Sequence, residues 1–321
     1  MQLLSLPKTK LRVSEFCLGA ADFASSVSEE ESGRMLDRFV EAGGNFLDTA
    51  AIYAAWDQNA GKGSSERRLA RWFRRRGRHD DIVIATKGGH PELKTMQTPR
   101  LDRASVASDL EDRLRNLGVE TIDLYYVHRD DWGRPVEEIL GYLEEFVRTG
   151  KIRHYAFSNW KLFRAEAARQ AALRDGCQGF VASQQLWSLA EGDMSKHDPT
   201  AANIDAPFAA WHREHNVPAL PFTAQANGYF SKLAEGREAD FKPWTRALYD
   251  HPTNRRRFAA LQELRRTTGL SITQVVLGYL RSQPFTVVPV IGPKSIAQLN
   301  DCLTATGVRL IPRQLAALTV A

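Results

Sequence analysis

Short apolar runs alternate along this chain with longer stretches of mixed polarity, and the two rhythms predict different elements. The runs are FCLGA (16–20), NFLD (45–48), IVIATK (82–87), DLYYVH (123–128), IRHYAFSN (152–159), FVASQ (180–184), PALPF (218–222) and TVVPVIG (286–292). Each is nearly continuous in apolar residues, as parallel strands covered by helices are. Upstream, LLSL and LRVSEF about PKTK predict a hairpin.

Between the runs the apolar spacing becomes helical. One helix is predicted from Ser28, an N-cap with Glu31 three residues on, to Ala42, with Gly43–Gly44 as its stop. Others are expected over 64–76, Leu101–Leu117, Pro135 to Gly150, an alanine-rich segment to Arg174, 206–215, 254–268, 272–282 and 295–305. The stretches after 184 and from 222 to about 250 read as irregular. Eight strand–helix units without a low-complexity linker predict the α/β class: a single (β/α)8 TIM barrel over 1–321, with an N-terminal β-hairpin and extra helices. An open doubly wound sheet would usually carry a glycine-rich first turn, and FCLGAADF has no GxGxxG. NAGKGSSE (59–66) lacks the upstream glycine and preceding strand of a P-loop.

Composition changes this picture little. The 321 residues, 43% apolar and 25% charged, suit one soluble barrel with a large core. The net charge of +5 comes largely from ERRLARWFRRRGR (66–78), an amphipathic helix with Leu69, Ala70, Trp72 and Phe73 inward and its arginines solvated. That run also suits a nucleic-acid patch, but no binding fold accompanies it. Cys17, Cys177 and Cys302 are odd in number and scattered, which argues against a disulfide framework or a zinc site and suits a reduced compartment. His212 and His215 share a helix, yet no third ligand is evident, so no metal is expected. MQLLSLPKTKLRVSEF lacks the apolar core of a signal peptide, and no run approaches the roughly eighteen apolar residues of a span. We therefore expect a cytoplasmic protein, monomeric or homo-oligomeric, with a small-molecule substrate and neither membrane nor nucleic-acid partners.

The chemistry sits where the apolar runs stop. They deliver Asp48 with Tyr53, then Lys87, His128 and the pair Ser158–Asn159. Polar residues at the carboxyl ends of successive strands are how such a barrel builds an active site. A phenol beside an ammonium, a carboxylate and an imidazole is a set for handling protons.

The ordered strings FLDTAAIY, GSSE, ATKGG, DLYYVHR, FSNW, SQQLWSL and VVPVIGPKS resemble the aldo-keto reductase superfamily over nearly the whole chain. The resemblance implies an NADP-dependent oxidoreductase that reduces an aldehyde or ketone. Hydride addition to a carbonyl leaves an alkoxide, which needs a proton as its charge develops. A free phenol, with a pKa near 10, is a weak acid at neutral pH unless a cation stabilises its phenolate. Tyr53 is thus the expected acid, Lys87 its activator, Asp48 the residue that keeps Lys87 charged and placed, and His128 a hydrogen-bond partner of the substrate oxygen or a relay. The resemblance gives these four positions the same roles. Some members instead act as regulatory subunits of ion channels that sense nicotinamide redox state, and an intact tetrad is compatible with that alternative.

The resemblance further implies that Ser158, Asn159 and Gln184 hold the nicotinamide carboxamide, that Phe222 stacks on its ring where tyrosine is usual, and that Gly19 and Gly292 border the cofactor. Lys294 and Ser295 match positions that hold a 2′-phosphate, with Gln298 and Asp301 over the adenine and its phosphate. This favours NADPH, with NADH weaker. Many members carry arginine near 294 or 298, and the usual adenine-clamp asparagine is Cys302 here. Trp56, Asp57, Trp132 and Trp187, with Asp130 and Asp131, are expected at the substrate mouth, where aromatic faces and carboxylates suit sugar-like carbonyls. With Ala321 soon after the last expected helix, no long closing loop and an open pocket are expected.

Overall fold

The computed structural model describes residues 1–319. The parallel strands β3 (Cys17–Gly19), β4 (Phe46–Asp48), β5 (Val83–Gly88), β6 (Ile122–Val127), β7 (Ile152–Ser158) and β8 (Ser183–Gln184) lie side by side in chain order. β9 (Val290–Ile291) returns beside β3. The gap between β8 and β9 is bridged by Ala219, which pairs with Ser183 on one side and Val287 on the other. Leu220 donates to the Ser183 carbonyl at 2.7 Å and Val288 to that of Ala219 at 2.9 Å, so the sheet closes into the expected barrel.

Two expected strands are shorter than their apolar runs. PALPF contributes isolated bridges, because Pro218 and Pro221 have no N–H to donate to a ladder. TVVPVIG is cut by Pro289 to a two-residue strand. β1 (Leu3–Ser5) and β2 (Arg12–Ser14) form the antiparallel hairpin. Its residues Leu6, Leu11 and Val13 pack into the barrel lumen against Cys17, Phe46, Val83, Leu124 and Val288. That end is sealed.

Strand alternation decides what faces the lumen. In β5, Val83 and Ala85 belong to the lumen core, while Ile82 and Ile84 join the layer beneath the helices. Lys87 continues the inward series. By the same period of two, Asp48 follows Phe46, His128 follows Leu124 and Tyr126, Ser158 follows Ala156, and Gln184 follows Ala182. Polar chemistry is thereby gathered at the carboxyl end of one cylinder.

The helices are α1 (Glu29–Glu41), α2 (Ser64–Arg76), α3 (Arg103–Leu117), α4 (Val136–Arg148), α5 (Leu162–Asp175) and α6 (Ala206–His215). α2 buries Leu69, Ala70, Trp72 and Phe73. The arginines of α2 and its C-terminal flank meet acids: Arg71 with Glu29, Arg75 with Asp37, Arg76 with Asp81, Arg78 with Asp80. The stretch to 250, expected to be irregular, contains α7 (Tyr229–Ala234) and α8 (Pro243–Tyr249). Tyr229 packs on Phe241 and Tyr249 with ring centroids 5.1 and 6.1 Å apart, so aromatic packing, not periodicity, holds these short helices. α9 (Pro252–Thr268), α10 (Ile272–Arg281) and α11 (Ile296–Leu303) follow, and α12 (Pro312–Thr319) is an addition the pattern did not predict. Among the described residues, no helix is long and apolar enough to cross a membrane.

Candidate active site

Asp48, Lys87 and Tyr53 meet at the carboxyl end of the lumen. Lys87 Nζ lies 2.6 Å from Asp48 Oδ2 and donates to the Tyr53 hydroxyl and the Thr49 carbonyl, both at 2.9 Å. The Tyr53 hydroxyl in turn reaches Asp48 Oδ2 at 3.3 Å. Asp48 and Lys87 are about 1% exposed, whereas Tyr53, on the turn after β4, is half-buried. Gln184 joins the group by donating from Nε2 to Asp48 Oδ1 at 2.9 Å, so both carboxylate oxygens are engaged.

The GSSE string braces this arrangement. Ser65 Oγ donates to the Ala20 carbonyl at 2.7 Å and lies 2.9 Å from Thr49 Oγ1. Glu66, fully buried, accepts from Thr86 at 2.8 Å and Asn116 at 2.9 Å and pairs with Arg113 at 3.0 Å. Thr86 immediately precedes Lys87, so these contacts hold the strand that carries it.

Burial and the Asp48 carboxylate push the Tyr53 phenol well above the ordinary tyrosine value. Burial pulls Lys87 down, and the Asp48 carboxylate opposes it. Beside the ammonium, a buried carboxylate 3.3 Å away also bears on the phenol and resists formation of a phenolate. Tyr53 is a stored proton at neutral pH. His128 is held well below the usual histidine range, by burial first and then by His90, Lys87 and Arg129. Its neutral ring stands edge-on to Tyr53, centroids 6.3 Å apart, which suits a hydrogen-bond partner for a substrate oxygen.

His90 and Arg129 were not anticipated from the sequence. The His90 ring lies 4.7 Å from that of His128, and Arg129 is held by Asp198 at 3.1 Å from the loop after β8. Both follow anticipated residues by one to three positions in loops, where periodicity carries no signal. His212, once weighed as a metal ligand, is a core histidine bonded to Ser183 and Val217. Among the described residues no cluster of three metal-ligating side chains occurs.

These histidines predict acid lability. Burial lowers His90 and His212 to about 4 and His128 well below 6.5. Unfolded histidines titrate near 6.5, so below that pH the unfolded chain takes up protons that the folded chain refuses. Stability is full above pH 6.5 and falls on acidification, by about 2 kcal/mol per histidine on reaching pH 5. Urea unfolding across pH 7.5 to 5 measures this; a slope below one proton would refute it.

The anticipated cofactor residues line one arc of the mouth. Ser158 Oγ donates to the Gln184 carbonyl at 2.7 Å, and Asn159, with φ +61°, donates to Ser158 Oγ at 3.0 Å and the His128 carbonyl at 3.2 Å. Gln185, absent from the anticipated set, accepts the Asn159 N–H and donates to the Trp160 carbonyl at 2.7 Å, fixing that turn. Phe222 is half-buried where Leu186 bridges it. A Cβ on Gly292 would meet nothing within 4 Å, so its backbone faces open space that an extended ligand can cross. Gly19 instead permits packing, since a Cβ there would lie 2.9 Å from Val290. Asp301 accepts from Thr273 at 2.5 Å and Cys302 donates to Gln225 at 3.3 Å. Ser158, Asn159 and Gln184 thus form one bonded group, and the backbone at Gly292 is open.

Of the anticipated mouth residues, Trp56 and Trp132 are exposed, at 53% and 65%. Trp132 packs edge-on against Phe163, and Asp57 caps the Asn59 N–H. Asp130 is bound by Arg164, and one Asp131 oxygen caps the Gly133 N–H. Trp187 stacks on Phe285 at 6.0 Å and meets Tyr279 edge-on.

A closed parallel barrel with a buried Asp–Lys–Tyr cluster at its carboxyl end defines a class of proton-handling oxidoreductases. Residues 15–320 match the model of the aldo/keto reductase family, and the chain belongs to that family. It is 29% identical to an uncharacterized oxidoreductase, YrpG, of Bacillus subtilis, over 97% of this chain and 92% of that protein. It is 28% identical to the norsolorinic acid reductase stcV of Emericella nidulans (95% and 77%) and to the NADP(+) aryl-alcohol dehydrogenase of Phanerodontia chrysosporium (96% and 82%). The fold is similar to that of the aldo-keto reductase AKR11C1 from Bacillus halodurans in its holo form, with a TM-score of 0.74 at 22% identity, covering 100% of this chain and 96% of that one.

Proposed function

We propose that this oxidoreductase reduces an aldehyde or ketone to the alcohol in the cytoplasm, with NADPH as the donor and NADH as a weaker one. The observation that carries this reading is Lys87 within 2.6 Å of Asp48 and 2.9 Å of the Tyr53 hydroxyl, inside a lumen open at one end.

Ser158, Asn159 and Gln184 would hold the carboxamide and Phe222 would lie on the ring. Held there, a nicotinamide cofactor would supply hydride to the carbonyl carbon. Tyr53 then gives its proton to the nascent alkoxide, and Lys87 stabilises the phenolate left behind. Asp48 keeps Lys87 charged and aimed, and neutral His128 donates a hydrogen bond to the substrate oxygen. Because Gln184 touches Asp48 directly, carboxamide recognition and the proton donor share one network.

Similarity to an aryl-alcohol dehydrogenase, together with the exposed indole of Trp56, directs the first substrate trials to aromatic aldehydes and ketones, then sugar-like carbonyls. NADPH consumption over such a panel tests the reading. Since the Tyr53 phenol is pushed up, kcat/KM for reduction is expected to stay flat from pH 6 to 8. No turnover with any carbonyl, or a bell centred near 6.5, would count against it.

A further inference from the structure

At the corner of the mouth where Lys294 and α11 meet, the chain presents its own carboxylates to the groups expected to hold a phosphate. Asp22 Oδ1 lies 3.0 Å from Lys294 Nζ, and Ser26 Oγ donates to that same oxygen at 2.9 Å. On the neighbouring side, Glu31 Oε1 accepts the N–H of Ile296, the first residue of α11, at 2.6 Å. The other Glu31 oxygen pairs with Arg34 at 3.3 Å. The remaining donors are also engaged. Gln298 Oε1 takes the Lys294 N–H at 2.8 Å, and Ser295 Oγ takes the Gln298 N–H at 3.3 Å.

Ser28 with Glu31 three residues on is the spacing of a capping box, in which Glu31 would turn back on the Ser28 N–H. Only half of that box forms: Ser28 Oγ accepts the Glu31 N–H at 3.1 Å, while the Glu31 carboxylate crosses to α11. A helix N-terminus and a lysine attract an anion, and two carboxylates on the same donors oppose it.

We propose that Asp22 and Glu31 are counter-charges that set the coenzyme preference of this chain. They weaken binding of a 2′-phosphate and leave a 2′-hydroxyl unopposed. A phosphate must draw Lys294 from Asp22 and approach Ile296 beside Glu31, whereas a hydroxyl can donate to either carboxylate. Both acids are about a quarter exposed, 28% and 23%, so solvent screens each repulsion to a modest size. Each acid therefore takes back about two- to fivefold of the NADP+ preference that Lys294 and the α11 N-terminus favour. The inference rests on the nicotinamide reading above.

Calorimetric titration with NADP+, NAD+, 2′,5′-ADP and 5′-AMP tests it without turnover. Asp22→Asn and Glu31→Gln keep shape and acceptor oxygens while removing charge. Each is expected to tighten NADP+ and 2′,5′-ADP by about two- to fivefold, with NAD+ and 5′-AMP essentially unchanged. Variants whose 2′,5′-ADP affinity does not rise relative to 5′-AMP would overturn the proposal. A protein that binds neither dinucleotide would instead overturn the nicotinamide reading, and this inference with it.

Discussion

Tyr53→Phe is expected to lower kcat/KM for carbonyl reduction by about 10²- to 10⁴-fold, the range that a positioned general acid supplies. The ring remains, edge-on to His128, and Lys87 keeps its contacts with Asp48 and the Thr49 carbonyl. Only the transferable proton and one hydrogen-bond acceptor are lost. NADPH affinity should stay within about twofold and stability within about 1 kcal/mol, the usual net worth of one hydrogen bond. Steady-state kinetics beside a cofactor titration separates the two effects. A variant with more than about a tenth of wild-type activity on the best substrate would remove Tyr53 from the mechanism.

Lys87→Met should cost both activity and stability. It leaves the Asp48 carboxylate, about 1% exposed, in the lumen without its cation. Breaking a buried pair by removing one partner costs about 3–5 kcal/mol, chiefly through the orphaned charge. Gln184 and Tyr53 remain as donors to Asp48, which places the expectation toward the lower end. Adding Asp48→Asn removes the charge as well, so the double variant should regain much of the lost stability and none of the activity. Urea unfolding of the wild type, Lys87→Met, Asp48→Asn alone and the double variant measures the coupling. If the double variant is less stable than Lys87→Met, the stabilising role assigned to the ion pair is wrong.

Most of the barrel was legible because its strands are apolar on both faces and its helices on one. What misled was proline: the apolarity of PALPF and TVVPVIG gives no hint that missing N–H groups reduce them to bridges and a stub. The short helices between 229 and 249 were invisible for a different reason. They are held by contacts among Tyr229, Phe241 and Tyr249, not by a repeating face. At the site, Asp48, Tyr53, Lys87 and His128 could be read from the ends of apolar runs, and the structure brings all four together. Asp130 is tied to Arg164, a pairing that nothing in a loop's sequence reveals.

The sequence by itself determined which residues stand at strand ends and, through the period of two, that alternate residues share one face. Only closure of the cylinder decided that this face would be the lumen, where Lys87 and Asp48 are shut away from solvent and bonded to each other. Contacts such as Lys294 with Asp22, 272 residues apart in the chain, belong to closure alone. Their energies depend on distance and burial, quantities that come into being when the last strand meets the first.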